Sequence, residues 1–214
     1  MQTRSWLAKW FTRLYARTIN FGGVTKEETY QSHGEQHRVF WIDAEKWPMS
    51  GQYTPFRTIL LNEEKLNRVS DEVVDYVFLH EVGHSKPPSL VHFSSFAIRV
   101  PLMGIALLGL PVLALRWLVF ALSGSVGQFF QLTLAFVLVS LIILGPLILV
   151  SWLDEGHAEV FAVSKIGEEA YYRCHKEIRE NSDSGRIARV LHRLFYPSPG
   201  IVIRVRNRLD SLAE

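Results

Sequence analysis

The sequence predicts a mainly α-helical protein that contains a small β-sheet and is interrupted by a two-helix transmembrane hairpin. Three features of the sequence lead to this fold class: a long uncharged segment in its second half, two short runs of β-branched and aromatic residues before residue 62, and helical spacing around a pair of histidines. With 214 residues, the chain has the length of one domain, or of one domain interrupted by an insertion.

The overall charge excludes one class of partner. Lys plus Arg number 23 and Asp plus Glu number 21, and neither sign dominates a long block. Because nucleic-acid-binding proteins concentrate positive charge on one surface, this balance argues against a nucleic-acid partner. Cys174 is the single cysteine, which excludes an internal disulfide and a metal site made only of thiolates, and suits a reducing compartment.

Residues 1–20 have the pattern of a basic amphipathic helix. Four apolar residues share one helical face: Leu7, Trp10, Phe11 and Leu14. Lys9 and Arg13 lie opposite and interrupt the apolar run, so the segment is not a cleavable signal, and it contains no acidic residue. These features predict either a helix on an anionic membrane surface or a helix packed on the rest of the protein.

Two strands are predicted in residues 21–98. Residues 37–43 and 56–61 are rich in β-branched and aromatic side chains, and Pro48, Gly51 and Pro55 separate them. An edge strand of such a sheet could bind a peptide as an additional strand, through main-chain hydrogen bonds and with little sequence selectivity.

The motif HExxH occurs at His80, Glu81 and His84. On a helix this spacing places both imidazoles on one face, where they can share a zinc ion, and places the glutamate beside the water that the metal activates, as a general base. Ser70 is the predicted N-cap of this helix, and Pro87 and Pro88 end it.

A catalytic zinc site needs a third protein ligand. The sixth residue after His84 is Leu90, so the third histidine of the extended metzincin motif is absent. Glu155 and Glu159 lie four residues apart on one predicted helical face, as a metal ligand and a carboxylate that orients a ligand histidine would. Other candidates for the third ligand are His92, His157 and Glu159 itself.

Residues 99–153 form the predicted transmembrane hairpin. The 37 residues from Trp117 to Leu153 carry no charge, and neither do those from Val100 to Leu115. A turn-forming cluster at residues 123–128 divides the segment into two spans, Val100–Leu122 and Phe129–Leu153, each long enough to cross a bilayer. The alternative is a buried hairpin in a soluble core.

The basic residues beside the hairpin predict its orientation. Four of them lie near its outer ends: Lys86, Arg99, Lys165 and Arg173. The connecting loop offers only Arg116, so the positive-inside rule predicts that both termini are cytosolic. A hairpin also returns residues 154–214 to the side of the histidine helix. The sequence therefore predicts an integral membrane protein of the inner cell membrane, or its equivalent, with its active site on the cytosolic side.

The motif HEVGH is followed by two predicted membrane helices and then by E-x-x-A-E with V-F-A. This order of features resembles that of the membrane gluzincin family, which includes the bacterial heat-shock protease HtpX and the CAAX prenyl endopeptidases. The resemblance covers residues 55–209 and implies a zincin-like metallopeptidase domain interrupted by the hairpin. It implies that His80, His84 and Glu155 bind zinc and that Glu81 is the general base. Glu159 takes the place of an aspartate in the family motif.

The family also has a His-Pro dipeptide near its C-terminus, followed by an arginine that stabilises the oxyanion. In this chain Tyr196 stands before Pro197 in place of the histidine, and Arg204 follows at a longer spacing. The resemblance assigns Tyr196 and Arg204 to catalysis on this basis. The structural alternative is a polar C-terminal helix.

The resulting expectation is a membrane-embedded zinc metalloendopeptidase that hydrolyses peptide bonds of a protein or peptide substrate at the cytosolic membrane face. Its partners are that substrate and the lipid bilayer. Two alternatives stay open: an inactive relative that acts as a membrane adaptor, and a zinc hydrolase that acts on a non-peptide substrate.

Overall fold

The computed structural model describes residues 2–18, 22–45, 49–88, 97–98, 100–123, 126–181 and 194–213. The helices are α1 (Gln2–Thr18), α2 (Glu63–Leu66), α3 (Asp71–Ser85), α4 (Val100–Ser123), α5 (Val126–Ile166), α6 (Glu168–Glu180) and α7 (Pro199–Ala213). The strands are β1 (Gly23–Ser32), β2 (Glu35–Asp43), β3 (Gly51–Tyr53) and β4 (Ile59–Asn62). The predicted class, mainly helical with a small sheet, is confirmed in this part of the chain.

The four strands form one mixed sheet in the order β1-β2-β4-β3. β2 pairs antiparallel with β1 and parallel with β4, and β3 pairs antiparallel with β4. β2 and β4 correspond to the two predicted strands, whereas β1 and β3 were not predicted. Gly51, which the sequence predicts as a break between strands, begins β3. β1 is an edge strand of largely polar composition, so its sequence lacks the apolar signal of a buried strand.

Side chains alternate between the two faces of the sheet, and both faces are covered. Val39, Ile59 and Leu61 pack with α3 in the larger core. Phe40 and Leu60 point the other way, into a smaller core beneath α1. Burial on both faces explains why β4 is a continuous apolar run up to its last residue instead of an alternating pattern.

Helix α1 packs on the sheet with small side chains. Ala16 and Thr12 are fully buried, and the hydroxyls of Thr12 and Thr58 are hydrogen-bonded at 2.9 Å. The large apolar residues of the predicted apolar face stay exposed. The helix therefore contacts the sheet through a different face from the apolar one that the sequence indicates, because small residues allow a close approach to the strands.

Helices α4 and α5 are long and apolar enough to cross a membrane over Pro101–Leu122 and Phe129–Ile166. Their apolar side chains are mostly exposed, as at Leu108 and Ile142, which is not the arrangement of a soluble core helix. A hydrogen bond joins the two helices: Trp117 Nε1 of α4 donates to Thr133 Oγ1 of α5 at 2.9 Å.

Helix α5 does not end where the predicted second span ends. It continues beyond Leu153 to Ile166, because its last turns bury Ala158, Ala162 and Val163. The backbone of Gly167 then adopts a φ of +84°, which favours glycine and ends the helix.

The chain divides into two compact units. The sheet unit comprises Met1–Pro87, Glu155–Arg189 and Pro197–Glu214, and the hairpin unit comprises Pro88–Asp154 and Val190–Tyr196. The division differs from the boundaries expected from the sequence, at residues 98/99 and 153/154, and it assigns residues 190–196 to the hairpin unit. Helix α5 passes from one unit to the other between Asp154 and Glu155.

Candidate metal centre

Helix α3 carries the HExxH motif through the larger core. Ser70 is its N-cap, as predicted, but its side chain makes no capping bond. The Ser70 backbone N–H and hydroxyl instead donate to the two carboxylate oxygens of Glu177 on α6, at 2.6 and 2.8 Å. The helix ends at Ser85, just before the two prolines that predict its end. These contacts hold α3 between the sheet and α6.

The two histidines of the motif and Glu155 form one compact group of possible metal ligands. The distance from His80 Nε2 to His84 Nε2 is 3.2 Å. Glu155 Oε2 lies 3.3 Å from His80 Nε2 and 3.7 Å from His84 Nε2. Each side chain is between 12% and 16% exposed, so the group is largely buried but still open to solvent. This arrangement could hold a metal ion.

Glu155 reaches the histidines because α3 and α5 cross at very short range. A Cβ atom on Gly83 would lie 2.6 Å from Ala158 Cα and 3.0 Å from the Ala158 carbonyl oxygen. Ala158 is fully buried at this crossing. Gly83 is the glycine inside the HEVGH motif, and its lack of a side chain lets the backbone of α5 approach the helix that carries the histidines.

We expect Gly83→Ala to weaken metal binding strongly, because the added methyl group must push α5 and Glu155 away from His80 and His84. Gly156→Ala is the matched control: it is another glycine inside a helix, and its Cβ would meet only Pro197 Cγ at an ordinary 3.8 Å. Metal content after dialysis and helical content by circular dichroism should be measured on both variants. Equal metal content in Gly83→Ala and wild type would contradict this role.

Glu159 lies behind His80, on the side away from the ligand group. Its Oε1 atom is 3.5 Å from His80 Nδ1, while His80 Nε2 faces Glu155. The hydroxyl of Tyr76 donates to the Glu159 carboxylate, at 2.8 and 2.9 Å from its two oxygens, and His175 Nε2 lies 3.6 Å from Oε2. Tyr76 and Glu159 are both buried. A carboxylate in this position can fix the orientation of a metal-ligating histidine.

We expect Tyr76→Phe to weaken metal affinity by about 10- to 100-fold, the usual effect of losing a group that orients a metal ligand. The change removes the hydroxyl that holds the Glu159 carboxylate, and it keeps the ring in the core. Tyr172→Phe is the control, since Tyr172 is half exposed on α6. Competition with a chelator of known affinity measures the difference, and equal affinities in both variants would show that the hydroxyl has no such role.

Burial and charge act differently on His80 and Glu81 of α3. Burial alone would lower the pKa of His80, but the contact with Glu155 and the charge of Glu159 outweigh it and raise that pKa. Burial raises the pKa of Glu81, a change that the neighbouring histidines oppose. Glu81 is 6% exposed, and its carboxylate lies against Gly51 at the start of β3.

Of the other candidates for the third ligand, His157 is engaged in a different contact. His157 Nε2 donates to the carbonyl of Lys86 at 2.9 Å. His92 lies outside the described residues. Cys174 is buried on α6, and its thiol contacts the carbonyl of Glu72. Among the residues that the structure describes, the group of possible ligands contains His80, His84 and Glu155.

Tyr196 and Arg204 are the two other predicted catalytic residues. Tyr196 belongs to the hairpin unit. Arg204 is exposed on α7, and its Nε donates to the carbonyl of Gly200 in the same helix at 3.1 Å. Both assignments stay predictions from the family resemblance.

Comparison of the chain with protein-family models, with curated proteins and with solved structures gave no match. The function is therefore inferred from the geometry of the site. Sequence reasoning missed Gly83, Tyr76 and the contact of His175 with Glu159. A glycine inside a helix was the available signal for Gly83, since glycine there is unfavourable unless packing requires it. Tyr76 and His175 gave no comparable signal.

Proposed function

We propose that this protein is a membrane-embedded, zinc-dependent endopeptidase. The observation that carries the proposal is the triangle of His80 Nε2, His84 Nε2 and Glu155 Oε2, with sides of 3.2, 3.3 and 3.7 Å. Four ligands arranged tetrahedrally at about 2.0–2.1 Å from zinc lie roughly 3.3 Å from one another. The three atoms thus have the spacing of three zinc ligands.

The chemistry of the donor set also fits zinc. Two imidazole nitrogens and one carboxylate oxygen are a known combination in catalytic zinc sites. Glu155 Oε2 is buried and has no hydrogen-bond partner among the described residues, and a cation would satisfy it. Zinc bound by three side chains keeps a fourth position open, where it polarises a substrate carbonyl and makes water more acidic.

Glu81 supplies the general base in this proposal. It follows His80 directly, it is not one of the three ligand atoms, and burial raises its pKa above that of an exposed glutamate. A carboxylate beside the attacking water can accept its proton and return it to the leaving amine. Glu159 would keep His80 oriented throughout, in the place of the family's aspartate.

The substrate is proposed to bind along β3. This strand lies at one edge of the sheet and packs on α3, with Gly51 against Glu81. An extended peptide that pairs with the open edge of β3 would lie beside the metal ligands. Main-chain pairing gives little sequence selectivity, so an unfolded protein is the appropriate test substrate.

Membrane embedding is supported by α4 and α5, whose exposed apolar surfaces suit lipid. Glu155 follows the uncharged segment within the same helix, and the basic flanking residues favour a cytosolic site. The proposed partners are therefore the lipid bilayer and a protein or peptide substrate. This organisation is also that of the membrane gluzincins that the motifs resemble.

Zinc content and cleavage of an unfolded protein, measured on the same detergent-purified preparations, test this function. Wild type is expected to contain zinc and cleave the substrate, and Glu81→Gln to contain zinc without cleaving it. A wild-type preparation that holds zinc but cleaves no protein would favour the adaptor or a non-peptide substrate instead.

A further inference from the structure

Helix α1 presents a row of large apolar side chains to its surroundings. We name this row the α1 stripe; its members are Trp6, Leu7, Trp10, Phe11 and Leu14, and they are 65%, 46%, 49%, 40% and 43% exposed. Within the sheet unit this places two tryptophans and three other large apolar residues side by side on one helical face. A contiguous apolar surface of this kind marks an interaction site.

The orientation of α1 is set by contacts on its other side. Thr12 and Ala16 are buried against the sheet, and Tyr15 Oη accepts a hydrogen bond from Gln52 Nε2 of β3 at 2.9 Å. Phe11 is the member of the stripe that stacks on Phe56, with ring centroids 5.3 Å apart, and it is still 40% exposed. The packing of α1 thus turns most of the stripe outwards.

Charge distinguishes between the possible occupants of the stripe. Helix α1 contains no acidic residue, and the side chain of Arg13 is 59% exposed. Both cations pair with Glu27 on β1, Lys9 at 2.7 Å and Arg13 at 3.7 Å, so the carboxylate that they contact in the described part of the chain belongs to another element. A second copy of the chain placed symmetrically on the stripe would bring two positive flanks together. An anionic lipid surface would attract them.

We propose that the α1 stripe docks on the anionic leaflet of the membrane that α4 and α5 cross. Trp6 and Trp10 would insert their rings at the level of the lipid headgroups, where indole is favoured, and Arg13 would face the lipid phosphates. Because α4 and α5 tether the same chain to the bilayer, a weak surface affinity is sufficient for occupancy. This inference depends on membrane insertion of the hairpin and is independent of metal and catalysis.

Spin labels on the full-length protein in lipid nanodiscs test the proposal. Trp10→Cys and Leu14→Cys place labels at two positions in the stripe. Leu108→Cys on α4, where the native residue is 76% exposed, is the control for lipid, and Lys176→Cys on α6, 71% exposed, is the control for water. The native Cys174 is fully buried, and labelling of the wild type measures its contribution. Accessibility to oxygen reports lipid, and accessibility to a water-soluble nickel chelate reports solvent.

In nanodiscs that contain phosphatidylglycerol, both stripe labels are expected to show an oxygen-to-nickel ratio several-fold above that of the Lys176 label and near that of the Leu108 label. A ratio equal to that of the Lys176 label would overturn the proposal. Protection of the stripe labels from both reagents would also overturn it, in favour of a contact between the stripe and protein. In nanodiscs of pure phosphatidylcholine, the oxygen-to-nickel ratio of the stripe labels should be lower. An unchanged ratio would contradict the proposed preference of the stripe for anionic lipid. A Leu108 label that behaves as if in water would instead refute membrane insertion itself.

Discussion

Glu81→Gln is expected to keep its zinc and to lower the rate of peptide-bond hydrolysis by about 100- to 10,000-fold, the usual contribution of general-base catalysis. Glutamine has the shape of glutamate but cannot accept the proton of the attacking water. Glu81 is not one of the three ligand atoms, and the substitution conserves volume at a site that is only 6% exposed. The variant therefore separates catalysis from metal binding.

The measurement is the initial rate of cleavage of an unfolded protein by preparations whose zinc content has been determined. Glu180→Gln makes the same chemical change on a side chain that is 61% exposed on α6, and it should leave the rate unchanged. If Glu81→Gln with full zinc cleaves at the wild-type rate, the site binds zinc but does not use this mechanism. The adaptor or a non-peptide substrate would then be the better interpretation.

Substitution of any one of the three ligands should abolish tight zinc binding. Wild type is expected to hold about one zinc ion per chain, and His80→Ala, His84→Ala and Glu155→Ala to hold almost none, because a catalytic zinc site needs three protein ligands. Glu155→Ala is the most informative of the three, since this ligand comes from a different helix. Metal analysis of the dialysed, detergent-purified proteins gives the answer directly.

His157→Ala is the matched control for the third ligand. His157 is two residues from Glu155 on the same helix, but its ring donates to the carbonyl of Lys86, so we expect it to keep zinc. If Glu155→Ala keeps full zinc occupancy, the third ligand is His157, Glu159 or His92 instead. Loss of zinc in Glu155→Ala together with retention in His157→Ala would agree with the group in the structure.

Much of the site could be predicted from local spacing. The i and i+4 positions of His80 and His84 place both rings on one face of any α-helix, so no tertiary information was needed to pair them. The Glu155 and Glu159 pair followed the same rule. The third member of the ligand group could be any of several carboxylates and histidines in the sequence. The crossing of α5 over α3 decides between them, and the sequence alone left that choice open.

The elements that the sequence predicted and missed differ in a simple physical way. Long apolar runs are visible in the order of the residues, and they mark the elements that the sequence predicted: the uncharged segment, the HExxH helix and the strands β2 and β4. β1 is largely polar, and β3 has three residues beginning with a glycine, so neither carries that pattern. Their pairing with β2 and β4 decides that they are strands.

The sequence by itself determined the mainly helical class, the apolar hairpin and the two motif histidines, because helical periodicity and hydrophobicity are local properties. Only the tertiary structure decided that Gly83 lets α5 approach to within contact of α3, that Glu159 lies behind His80, and that α1 turns its large apolar face outwards. Each of these depends on the distance between elements far apart in the chain, and packing of side chains sets that distance.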